Sequence, residues 1–139
     1  MIKLMVGDRG SGKTKTLIDN VHNAVAATKG YVVCLEWGDK LRFDISSQVR
    51  LIDAEEYGIS SADKLYGFLT GILASNYDVT DLFVDSALKM CKDDANDQKA
   101  LVEVFEKVAP MLESHNVNCF VTASIATEKV IPELLAYTK

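Results

Sequence analysis

Five short stretches of this chain are almost continuously apolar. They are IKLMVG (2–7), YVVCLEW (31–37), VRLID (49–53), DLFVD (81–85) and VNCFVTAS (117–124). Runs of this length, rich in β-branched and aromatic residues and bounded by glycine or acidic residues, predict buried strands. Between them the spacing changes from continuous to three-to-four. Leu17, Val21, Ala24, Val25 and Thr28 predict a helix from Lys13 to Lys29, with Gly30 as its stop. Leu65, Phe68, Leu69, Ile72 and Leu73 share one face of a helix over 60–76 that opens on serine. Gly67 and Gly71 weaken that helix, and their spacing points to close packing against a neighbour. Leu101, Val104, Phe105, Val108, Met111 and Leu112 stripe a helix over 99–116, which Pro110 is expected to kink or reset. Residues 38–48 read as a polar loop with at most a short helical turn, and 86–97 as a polar, acid-rich connection. The tail is expected to end in a short helix with Pro132 in its first turn.

Strands separated by helical patterns predict an α/β fold: a parallel sheet covered on both faces, three layers in all. The 139 residues suit one domain, 1–139, with a core that needs no staples. Ligands on such sheets sit at the carboxyl ends of the strands.

Composition changes this picture in three places. Cys34, Cys91 and Cys119 are widely spaced and show no metal-ligand pairing, which fits a reduced, cytoplasmic setting. Cys34 and Cys119 fall in strand-like runs and are expected to act as small apolar residues. No run approaches the length of a membrane span. The net charge of −5 is unevenly placed: residues 1–50 carry +3 and residues 51–139 carry −8. An acidic surface disfavours broad nucleic-acid binding, although Arg9, Lys40, Arg42 and Arg50 could form a local basic patch.

The candidate chemistry begins at GDRGSGKT, where Gly7 to Thr14 fit G-x-x-x-x-G-K-[ST] between a strand and a helix. Glycines let backbone N–H groups turn toward an anion, and the helix start adds its positive end. On this reading Gly7, Asp8, Arg9, Gly10, Ser11, Gly12, Lys13, Thr14 and Lys15 bind nucleotide phosphates. Lys13 reaches the β- and γ-phosphates, and the Thr14 hydroxyl ligates Mg²⁺. Asp85, at the end of LFVD, is the second metal-holding candidate; the alternative is a turn or capping acid. No D-x-x-G follows Asp85 and no N-K-x-D occurs, so ATP is favoured over GTP.

GDRGSGKTKTL, YVVCLEW, DLFVDSA and NCFVTAS, in this order and spacing, resemble the RecA-like core of P-loop ATPases, the branch of recombinases, KaiC-type proteins and pilus-retraction motors. The resemblance covers about residues 1–126. It implies a P-loop NTPase fold in which strand 117–124 lies between the strands of Gly7 and Asp85, and it implies that Thr122 and Ser124 face the γ-phosphate or attacking water. It also implies a catalytic glutamate just after the second strand. Glu36 lies in the matching region, with Asp39 as a second candidate. Trp37 is either a nucleotide-stacking residue or ordinary packing. Arg9, Arg42, Arg50 and Lys129 are the candidates for a cationic finger. Against that resemblance the oligomerisation segment and basic DNA-binding loops of recombinases are expected to be absent, as are the last strands of a full core after strand 117–124.

Three functions compete: a slow or partner-activated Mg-ATPase, completed by a homo-oligomer or an unidentified protein partner; a non-hydrolysing nucleotide-dependent interaction module; and a small-molecule kinase of nucleoside type. The kinase lacks support in two places, since Ser86 stands where Asp-Glu is usual and no paired cysteines form a zinc lasso.

Overall fold

A computed structural model describes residues 1–139. All five apolar runs are strands: β1 (Ile2–Gly7), β2 (Tyr31–Glu36), β3 (Arg50–Asp53), β4 (Val79–Asp85) and β5 (Asn118–Ser124). They form one all-parallel sheet in the order β1-β5-β4-β2-β3. The helices are α1 (Lys13–Ala27), α2 (Ala62–Ser75), α3 (Asp97–Ser114) and α4 (Pro132–Leu135), and short 3₁₀ turns cover Lys40–Phe43, Ala87–Cys91 and Thr127–Lys129.

The period of two along each strand sorts side chains onto two faces. On one face Cys34, Phe83 and Phe120 pack with Leu17 and Val21 of α1. On the other, Leu35, Leu82, Val84 and Val121 pack with the stripes of α2 and α3, among them Leu65, Leu69, Leu101, Val104 and Val108. This is a three-layer α/β arrangement. The alternation also fixes the site, because Glu36, Asp85 and Thr122 lie two residues beyond Cys34, Phe83 and Phe120. They therefore emerge on the α1 side, at the end of the sheet where α1 begins.

Five expectations need correction. The first helix ends at Ala27, and Thr28 is already extended, its N–H bonded to the Ala24 carbonyl. Gly30 is not a left-handed stop; a Cβ there would collide with the Asp78 carbonyl, which accepts the Tyr31 N–H as β2 begins. Gly67 and Gly71 lie on the exposed face of α2, and a Cβ at either meets nothing within 4 Å, so no neighbour packs there. Helix α3 runs through Pro110 as one element. Pro110 is on its exposed face, where solvent can satisfy the carbonyl freed by the missing N–H. Finally, Ala87, Met90 and Cys91 of the connection after β4 are fully buried, so this segment is a packed turn and not merely polar.

The tail does more than end the chain. Tyr137 packs edge-on against Phe105 at 4.9 Å, and its carbonyl accepts the Leu4 N–H at 2.8 Å, covering the outer edge of β1. A covered edge cannot template pairing with another strand. α4 begins with Pro132 at its first position, where a missing N–H costs nothing.

Candidate functional site

The carboxyl ends of β1, β5, β4 and β2 open into one cleft of about 750 Å³. Its floor starts with the glycine loop. Gly10 and Gly12 take left-handed φ values of 83° and 91°, and Gly12 is the N-cap of α1 with no side-chain cap. The loop thus leaves helix N–H groups without side-chain acceptors at the positive end of a 15-residue helix. Gly7 is needed for a different reason. A Cβ there would stand 2.6 Å from the Ser11 hydroxyl, which the loop folds back against the end of β1.

Lys13 is only 6% exposed, unusual for a lysine, and no carboxylate pairs with it. Its Nζ donates to the Asp8 carbonyl at 2.8 Å and to the Ser11 hydroxyl at 3.4 Å. The ammonium is therefore held across the mouth of the loop by neutral oxygens, with its charge uncompensated. Arg9, Gly10, Gly12, Thr14 and Lys15 also line the cleft. Asp8 and Ser11 contribute through the bonds to Lys13, and Lys15 also reaches Asp19 at 3.4 Å on the exposed side of α1.

Asp85 ends β4 and is 6% exposed. Its Oδ1 accepts from the Thr122 hydroxyl at 2.6 Å and, more weakly, from the Thr14 hydroxyl at 3.5 Å. Thr122 Oγ1 in turn accepts the Ser86 N–H at 2.9 Å. Thr122 thus positions the carboxylate from the neighbouring strand and is itself 1% exposed. Ser86 takes a left-handed conformation, φ 66° and ψ 50°, which non-glycine residues adopt at a cost. Ser124 ends β5 opposite Gly7, is exposed and lines the cleft.

Glu36 ends β2 directly beside Asp85 in register. It is 2% exposed, and its Oε1 accepts the Leu41 N–H at 3.0 Å. Burial pushes its pKa up to about 7; the Leu41 N–H opposes that rise, and the charges of Asp85, Asp53 and Asp39 add to it. Asp39, the other candidate base, is exposed, pairs with Arg42 at 3.1 Å and stands outside the cleft. Trp37 is half-buried in the cleft wall, with the Lys92 ammonium 5.2 Å from its ring centre. Of the candidate finger residues only Arg9 lines the cleft; Arg42, Arg50 and Lys129 do not. The anticipated basic patch therefore divides: Arg9 and Lys40 face the cleft, while Arg42 and Arg50 lie elsewhere.

Five cleft residues had no place in the sequence reading: Leu41, Leu88, Lys89, Lys92 and Asp97. For Leu88 and Lys89 a signal existed: Ala87, Met90 and Cys91 have helical spacing, and their burial turns the residues between them outward.

The chain contains no group of three or more His, Cys, Asp or Glu that could hold a metal by itself, and no helix is long and apolar enough to cross a membrane. All three cysteines are free and buried. No protein-family profile matches the chain, and no curated protein matches it.

Proposed function

We propose that this protein binds Mg-ATP in the cleft and hydrolyses it slowly, as a minimal RecA-like ATPase completed by a second subunit or a protein partner. The observation that carries the reading is the buried, uncompensated Lys13 ammonium at the head of α1, in one cleft with the Thr14–Asp85 pair. The location of β5 between β1 and β4 supports it further, because that interposed strand is what the resemblance implies.

The donor set fits the ligand. Mg²⁺ keeps most of its waters and takes few protein ligands when phosphates are present, and one hydroxyl plus one carboxylate suits that habit. Thr14 and Asp85 would hold it, and when bound it would neutralise charge on the phosphate oxygens. Lys13 would give up the Asp8 carbonyl for a phosphate oxygen. The backbone of Gly10–Thr14 would cradle the remaining oxygens. Glu36 has the proton affinity of a base that works near neutral pH. With Oε1 held by the Leu41 N–H, its other oxygen is free to orient water and accept its proton. Ser124 and Arg9 stand where they could contact the terminal phosphate. Arg42 and Arg50 lie outside the cleft, so a second subunit or partner would have to bring an arginine finger.

Thermal denaturation tests binding. Mg-ATP at a hundred times its Kd should raise Tm by on the order of 8 °C. Lys13→Ala should abolish the rise. An unchanged Tm in wild type refutes the proposal. Steady-state phosphate release across protein concentration then separates an ATPase from a non-hydrolysing module.

A further inference from the structure

The cleft is more cationic than one phosphate loop requires. Six basic and three acidic residues line it, in a protein whose net charge is −5. The basic residues form two groups. Arg9, Lys13 and Lys15 belong to the loop and the head of α1. Lys40 belongs to the turn after β2, and Lys89 and Lys92 to the turn after β4. None of the second group has a carboxylate partner within 4.0 Å, because the chain's ion pairs are Lys15–Asp19 and Arg42–Asp39. Asp97 is the only acid that this side of the cleft adds to Glu36 and Asp85.

The three apolar residues of the cleft, Trp37, Leu41 and Leu88, lie on these same two turns. The Lys92 ammonium over the Trp37 ring ties the turns together. The second wall is therefore amphipathic: three unpaired lysines with an indole and Leu88, backed by the buried Leu41. Glu36 and Asp85 stand between it and the loop.

We propose that this wall is a second ligand subsite, one that takes a phosphomonoester with a planar or apolar body and fills it alongside the nucleotide. The ammonium groups compensate the phosphate, and the half-buried Trp37 and Leu88 cover the body. Nucleic acid fits less well, because residues 51–139 carry −8. The assignment of the loop side to a nucleotide rests on the function proposed above; the lysine wall stands without it.

Trp37 is the only tryptophan, so its emission reports on this wall alone. The probe is phenyl phosphate, titrated into protein saturated with Mg²⁺ and a non-hydrolysable ATP analogue. A saturable change in emission is expected. Lys89→Met with Lys92→Met, both at exposed positions, should weaken phenyl phosphate at least tenfold and change analogue affinity less than twofold. Equal binding by the double variant overturns the proposal, as does simple competition between probe and analogue. If the analogue does not bind at all, the nucleotide reading fails, and Lys13→Ala decides the subsite: a retained response supports it, and a lost one refutes it.

Discussion

Replacing Glu36 by Gln should make the protein more stable at pH 8 and nearly unchanged in stability at pH 4.5. Glu36 is buried beside Asp85, and its pKa rises from 4.5 to about 7 on folding. Between those values the native state holds a proton that the unfolded chain has released. Stability contributed by this group is therefore full below pH 4.5, falls as pH rises, and is gone above about pH 7. The displacement corresponds to at most roughly 3 kcal/mol, and solvent screening at the open cleft reduces this to about 1–3 kcal/mol. Gln does not titrate, and its Oε1 can still accept the Leu41 N–H. Urea denaturation followed by circular dichroism, from pH 4.5 to pH 8 in EDTA, gives the wild-type and variant curves. Carboxylates that do not interact with Glu36 titrate alike in both proteins and cancel in the difference. The difference should grow with pH to about 1–3 kcal/mol and level off above neutrality. A difference independent of pH, or a variant less stable at pH 8, would refute the argument that Glu36 carries a buried, repelled charge.

Gly67→Ala and Gly71→Ala should each stabilise the protein by about 0.5–1 kcal/mol, read from urea midpoints, because both positions are exposed helix interior with open space around the new methyl. Loss of stability in either variant would mean that something covers that face. Thr122→Val should cost about 1–3 kcal/mol, because it strands the Ser86 N–H and removes a donor to Asp85, whereas Thr122→Ser should recover most of it. The three thiols should resist a disulfide reagent in the native state and react together on unfolding, since burial raises the pKa of Cys91 and Cys119 to about 12 and that of Cys34 further still. Fast native labelling of any one would contradict its burial.

Most of the fold was legible because its signals are local. Each strand is a short apolar run, and each long helix carries its stripe at three-to-four spacing. Ser61 and Asn96 cap α2 and α3 by accepting the Lys64 and Lys99 N–H groups, as side chains of their type do. The misreadings arose where the environment decides. Glycine marks a left-handed turn, a close approach or nothing at all, and the residue alone cannot say which. Gly10 and Gly12 are the first case, Gly30 the second, and Gly67 and Gly71 the third. Pro110 breaks a buried helix but is tolerated on an exposed face.

The site was legible only in part, for a related reason. The loop from Gly7 to Thr14 is contiguous, so its spacing survives in the sequence. Everything else depends on which strand ends become neighbours. Glu36 and Asp85 are 49 residues apart and meet because β2 pairs with β4 in that register. Thr122 reaches Asp85 because β5 lies on the other side of β4. The same adjacency brings the turns after β2 and β4 together, setting Lys92 over Trp37. A slip of one residue between β2 and β4 would turn Glu36 to the opposite face of the sheet. The carboxylate pair is therefore a product of register. Register is set by the apolar packing of Cys34 and Phe83 on α1, and of Leu35 and Val84 on the other face. The core residues two places back from the site fix its chemistry as firmly as the charged groups themselves.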